Sequence, residues 1–276
     1  MQRIPRLTLP HLPHLPHLPH LLLLLLVACS AAQAAADSTL TRIQERGSLI
    51  LGTSGNMPSM SQVDAGGKVT GFDIDLARVM AGMMSVKLET RVMPFGELLP
   101  ALEKGDVDMV VSNLTITPAR NLRAAFVGPY MVSGKCIVTK DEAMAKAEQS
   151  TDLNTPDTRL AVLAGSTSED FARELFPEAT VIEVEDYVRA AELVKGDQAS
   201  GLLTDYPICL ATLKNNPEAG FVSVFSLLTY EPIGIALPAN DAQFINWTEN
   251  FLERMDGTSG LKELSRRWFG AIELAR

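Results

Sequence analysis

Short apolar runs alternate along the chain with stretches in which apolar positions recur every three or four residues. The first pattern predicts buried strands and the second amphipathic helices. Strands are predicted at 48–53, 87–93, 107–111 and 135–139. Between them lie helices at 71–84, at 95–104 with a stop at Gly105, and a charged, alanine-rich one at 141–149. A second cycle follows: strands 159–164, 180–184 and 199–204, and helices from Ser166, over 187–195 and over 206–214. Strands 221–225 and 232–237 and two helices, 241–255 and 259–269, close the chain. This alternation predicts an α/β fold.

The two cycles match. Each runs strand, helix, strand, helix, strand, with a polar residue at the carboxyl end of its last strand. Open α/β sheets bind ligands at those strand ends, and clefts between domains favour small molecules. Asp73 and Asp75 fall in the first turn of the 71–84 helix, where negative charge offsets the helix dipole, so they are read as capping residues. Ser166 and Glu169 have the spacing of a capping box.

The first 36 residues stand apart. Arg3 and Arg6 precede an apolar run over 21–27, and small residues follow to Ala36, the order of a secretory signal. Two cleavage readings stand: Ala34-Ala35-Ala36 before Asp37, or Leu26-Val27-Ala28-Cys29, a lipobox in which Cys29 is lipidated after cleavage near 28/29. No later apolar run reaches the length needed to span a bilayer, so no transmembrane segment is expected in the mature chain.

Removing the leader changes the chemistry. All four histidines (His11, His14, His17, His20) lie in its Leu-Pro-His repeats. The mature chain therefore has neither histidine catalysis nor histidine-ligated metal, and no metal or other cofactor is expected. The leader holds two of the 24 basic residues and none of the 33 acidic ones, so its loss takes the net charge from −9 to −11. That balance speaks against nucleic acid as a partner. Cys136 and Cys209 would be exported to an oxidising compartment, where a disulfide and a pair of buried thiols are both open.

The strand at 107–111 leads into Ser112-Asn113-Leu114-Thr115-Ile116-Thr117-Pro118-Ala119-Arg120. Thr117 suits an N-cap and Pro118 the first helical position. Arg120 then stands beside free backbone N–H groups at the positive end of a helix, a receptor for a carboxylate.

Taken in order, these motifs resemble a family. They are Gly71-Phe72-Asp73-Ile74-Asp75-Leu76-Ala77, Leu99 to Asp108, Thr115 to Arg120, Phe126 to Tyr130, and Gly196 to Asp205. The chain resembles the bacterial extracellular solute-binding proteins of family 3, the periplasmic receptors of polar amino-acid ABC importers, from about residue 49 to 269. The resemblance implies the type II periplasmic-binding-protein fold: two open α/β sheets joined by two crossover strands. Lobe one would hold 37–131 and 231–276, and lobe two 132–230. It implies a binding protein, not an enzyme, whose partners are a small ligand and an inner-membrane ABC permease. It implies a place in the periplasm, soluble or anchored through Cys29.

The resemblance also implies a ligand site. Arg120 matches the arginine that holds the α-carboxylate, with Asn113 and Thr115 as polar neighbours and Thr167 reaching the same group from lobe two. Asp205 matches the acid that takes the α-ammonium; it also stands at the N-cap of the following helix, before Tyr206 and Pro207, and the two roles can coexist. Phe95 falls at a wall position, and Met57 stands where many relatives carry an aromatic residue. Met57 and Met60 would give a softer wall or simply fill the core. The rival reading is an exported cyclohexadienyl dehydratase. Such an enzyme would need a general-acid glutamate three residues after Asp205, and this chain has Ile208 there.

Overall fold

The computed structural model describes residues 38–147, 149–225 and 229–270. The leader, with its histidine repeats and Cys29, lies outside the described residues, as do 271–276. Lobe one begins with α1 (Thr39–Arg46) and β1 (Ser48–Thr53), followed by a small antiparallel ribbon of β2 (Asn56–Met57), β3 (Ser61–Val63) and β4 (Val69–Thr70). It continues with α2 (Phe72–Met83), β5 (Lys87–Val92), a 3-10 turn (Phe95–Glu97), α3 (Leu98–Lys104), β6 (Met109–Val110) and α4 (Pro118–Asn121). A long strand, β7 (Ala125–Ser133), leads out of it.

After β8 (Lys135–Thr139) and α5 (Glu142–Ala145) the second cycle runs β9 (Arg159–Leu163), α6 (Thr167–Leu175), β10 (Thr180–Val184), α7 (Tyr187–Lys195), β11 (Gly201–Asp205), α8 (Tyr206–Asn215) and β12 (Val222–Phe225). The chain then returns through β13 (Glu231–Leu237) to α9 (Ala242–Gly257) and α10 (Gly260–Phe269). These last helices pack on β7, α1 and α2 of the first lobe.

The two sheets share one plan. Sheet one has the order β5-β1-β6-β13-β7 and sheet two the order β10-β9-β11-β8-β12. In each, the first strand of the cycle pairs in parallel with the second and the third. An antiparallel strand follows in both: β13 beside β6, and β8 beside β11. In sheet two, Leu160, Val162, Ile137 and Leu203 pack into a core on one face, while Ala161, Leu163, Val138 and Leu202 join the main core on the other. Helices on both faces bury both sets, which is why these strands read as continuous apolar runs.

Several predicted elements differ. The helix expected over 141–149 is a single turn, Glu142–Ala145, and the strand expected over 107–111 pairs only at Met109–Val110. The ribbon, α1 and β7 lack the clear periodicity that marks the other elements. Gly128-Pro129 interrupts the apolar pattern of β7, yet its pairing with β13 resumes across an irregularity between Ile233 and Ile235. Asp73 and Asp75 do not cap their own helix. Asp75 accepts from Trp268 at 3.0 Å and pairs with Arg78 and Arg267, tying α2 to α10. Asp73 is described with the site. Cys136 and Cys209 form a disulfide, with Cα atoms 6.6 Å apart, that fastens β8 to α8.

Candidate functional site

The carboxyl ends of β1, β6, β9 and β11 face one another across the cleft. One cavity there is lined by Met57, Phe95, Asn113, Thr115, Arg120, Thr167 and Asp205, the seven residues singled out in the sequence. Its volume is ≈ 10 Å³, on the order of a single water. The lobes touch here, with hydrogen bonds from Asn113 to Asp205 and from Arg120 to the Gly165 carbonyl crossing the cleft.

Local sequence explains each position. Thr117 caps α4 by accepting from the Arg120 backbone N–H at 3.2 Å. The α4 helix has only four residues, so hydrogen bonds and ring contact fix the guanidinium more than a helix dipole does. Arg120 Nη1 donates to the Thr115 carbonyl at 2.9 Å and Nη2 to the Gly165 carbonyl of lobe two at 3.1 Å. Its Cζ lies 5.5 Å from the centroid of the Phe95 ring, a cation–π arrangement. Burial lowers the Arg120 pKa, while the charges of Asp205, Asp170 and Glu231 act in the opposite direction.

Gly165 lies at a close approach of the two lobes. It has φ +74°, and a Cβ there would meet Gly96 Cα of lobe one at 3.2 Å. The next residue, Ser166, caps α6 by accepting from Glu169 N–H at 3.3 Å. The expected capping box is only half formed, because the Glu169 carboxylate accepts from Gly165 N–H at 2.8 Å. Thr167, the first residue of α6, reaches Thr115 Oγ1 across the cleft at 3.4 Å.

Asp205 ends β11 and is 6% exposed. Its side chain does not cap α8. Oδ2 accepts from Asn113 Nδ2 at 2.9 Å, and Oδ1 accepts from Lys135 Nζ at 2.7 Å. Asn113 adopts φ +47°, a conformation Asn tolerates better than most residues. Its backbone N–H donates to Asp73 Oδ2 at 2.7 Å, and the Tyr130 hydroxyl donates to Asp73 Oδ1 at 2.7 Å. Burial pushes the Asp73 pKa up to about 7 against the lowering effect of those bonds. Burial and the Asp73 charge push the Tyr130 hydroxyl well up.

Sequence reasoning missed four further groups. Leu163, Ser166 and Tyr187 line the cavity, and Lys135 anchors Asp205 from behind. Burial and the nearby Asp205 charge raise the Tyr187 pKa. Lys135 could have been suspected from a lone lysine opening an otherwise apolar strand, KCIVT. Met60 is fully buried in the core and does not line the cavity, unlike Met57. Ile208, three residues after Asp205, is fully buried in α8. Among the described residues no group of three or more His, Cys, Asp or Glu could hold a metal, and no helix is long and apolar enough to cross a membrane.

Comparison with known proteins gives a family and several relatives. The model of the bacterial extracellular solute-binding proteins, family 3, matches residues 49–271. A glutamine-binding protein of Geobacillus stearothermophilus is 30% identical over 207 residues, covering 73% of this chain and 77% of the relative. An ancestral amino acid-binding protein, a precursor of cyclohexadienyl dehydratase, superposes with a TM-score of 0.78 at 35% identity, covering 84% of this chain and 100% of that one. A putative ABC-transporter binding component from Wolinella succinogenes, complexed with lysine, gives a TM-score of 0.78 at 32% identity, covering 81% and 96%.

Proposed function

Because the chain belongs to the bacterial extracellular solute-binding proteins of family 3, we propose that it captures an amino acid or related small carboxylate between its two lobes and delivers it to an ABC permease. Its relatives are amino-acid-binding proteins of this kind. One observation carries the reading: Arg120 from lobe one and Asp205 from lobe two line a single cavity. A zwitterion needs a cation and an anion held at fixed separation. The Arg120 fork suits the α-carboxylate, with Thr115 and Thr167 beside it. Asp205 suits the α-ammonium, and Asn113 Oδ1, buried without a donor among the described residues, is a second acceptor.

Closure follows from the same division. Each lobe supplies one charge, so a bound ligand favours the closed arrangement by its differential affinity for it. In this reading lobe one comprises 37–131 and 231–276, and lobe two 132–230. The protein works in the periplasm, either free or held to the membrane through a lipidated Cys29. Intact mass of the exported protein distinguishes the two forms.

Calorimetric titration of the purified protein with a panel of amino acids and small organic acids tests the function. One or a few should bind and raise the melting temperature, by about 2.7 kcal/mol of stabilisation at a hundredfold excess over Kd. Failure of the whole panel would overturn the reading. The dehydratase alternative draws on the ancestral precursor, a binding protein related to that enzyme. The buried Ile208 offers no proton where the acid is required. Incubation with prephenate and arogenate should give no turnover, and turnover would establish the enzyme instead.

A further inference from the structure

Lys135 lies directly opposite Asp205 in the antiparallel pairing of β8 with β11. Its side chain is 3% exposed. The ammonium stands 2.7 Å from Asp205 Oδ1, 2.7 Å from Thr167 Oγ1 and 3.4 Å from Glu231 Oε2. The ammonium donates to Asp205 and Thr167 and forms an ion pair with the Glu231 carboxylate. The same cation therefore touches both the acid and the threonine proposed to hold the ligand.

This pairing sets the charge of the site. Arg120 and Lys135 are formally positive, and Asp205 and Glu231 formally negative, so the four groups balance. Asp170 is exposed to solvent on α6, and Asp73 meets the cavity wall only through the Asn113 backbone. Asp205 is the sole carboxylate among the lining residues. The apolar and aromatic part of the wall is Met57, Phe95, Leu163 and Tyr187.

We propose that Lys135 is a specificity determinant: by neutralising Asp205 it restricts the site to zwitterionic amino acids with uncharged side chains and excludes cationic ones such as arginine and lysine. The inference rests on the amino-acid reading of the site given above. A carboxylate accepts about four hydrogen bonds, and Asp205 uses two, so an α-ammonium still has room beside Asn113 Oδ1. A second ligand cation meets no further carboxylate on the wall and is repelled by both Lys135 and Arg120. An anionic side chain is no better served. Arg120 holds the α-carboxylate, and Lys135 is already paired with Asp205, Thr167 and Glu231.

Titration with L-leucine, L-phenylalanine, L-glutamine, L-arginine and L-lysine separates this from the parent reading. The wild-type protein should bind at least one uncharged amino acid ten or more times tighter than arginine or lysine. Lys135→Met and Lys135→Gln leave a net negative site, and each should shift that ratio toward the cations at least tenfold. The glutamine variant keeps donors for Asp205 and Thr167, and covers the case in which the methionine variant does not fold. Lys135→Arg should keep the wild-type ratio. Wild-type binding of arginine or lysine as tight as that of any uncharged amino acid would overturn the role of Lys135 and leave the amino-acid reading intact. An unchanged ratio in the folded variants would do the same. Binding of none of the five, nor of any other amino acid or organic acid, would overturn the parent reading instead.

Discussion

Asn113 Nδ2 donates to Asp205 Oδ2 across the cleft at 2.9 Å, so a loop of lobe one holds the residue that ends β11 in lobe two. The backbone of Asn113 is in the left-handed region at φ +47°, and its N–H is bound to the buried Asp73. Backbone shape and side-chain reach are thus separate contributions of one residue. Asn113→Gly keeps the shape and loses the amide; Asn113→Ala loses both. Both should weaken ligand binding by about five- to tenfold, the cost of one hydrogen bond of ~1 kcal/mol. Asn113→Ala alone should also lower the urea-unfolding free energy by ~1 kcal/mol, because alanine lacks the short polar side chain that lets asparagine tolerate this left-handed conformation.

Arg120 should dominate affinity. Its replacement by Ala removes a charge-assisted fork worth about 1.5–3 kcal/mol and should weaken binding at least ten- to hundredfold. Arg120→Lys keeps the charge without the planar fork and should fall between the two. Calorimetry with whichever ligand the wild-type protein takes is the measurement, and unchanged affinity in Arg120→Ala would remove Arg120 from the site.

Asp73 should make stability depend on pH. Its carboxyl titrates at about 7 in the folded protein against 3.8 ordinarily. Between these values the folded state holds a proton that the unfolded chain releases. Stability from this group is therefore fully present below about pH 4 and falls as pH rises to about 7. Asp73→Asn mimics the protonated form: its oxygen can accept from the Asn113 N–H and its amide can donate to the Tyr130 hydroxyl. Its melting temperature should vary less than that of the wild type between pH 5 and 8. Parallel profiles would contradict the assignment.

The Cys136–Cys209 bridge closes a separation of 73 residues within lobe two. Losing a native disulfide typically costs 2–5 kcal/mol. Dithiothreitol, or the Cys136→Ala/Cys209→Ala pair, should lower the urea midpoint accordingly. Because Cys136 adjoins Lys135 and Cys209 lies one helical turn after Asp205, ligand affinity should also be read in the reduced protein.

The amino-acid sequence by itself determined the alternation of strands and helices, since burial on one or both faces imposes a period that survives without knowledge of partners. It also determined the cap at Thr117, the helix start at Ser166 and the clustering of Arg120, Asn113 and Thr115, because those are local relationships. Only the tertiary structure decided what crosses from one element to another. Asp73 reads as a helix-capping acid until Tyr130 and Asn113, 57 and 40 residues away, are seen to close on it. Cys136 and Cys209 have two readings until β8 and α8 bring them together. Lys135 stands out locally only as a lysine opening an apolar strand. Its role depends on sheet register, which sets it opposite Asp205, and on the chain's return at Glu231, and neither is coded in neighbouring residues.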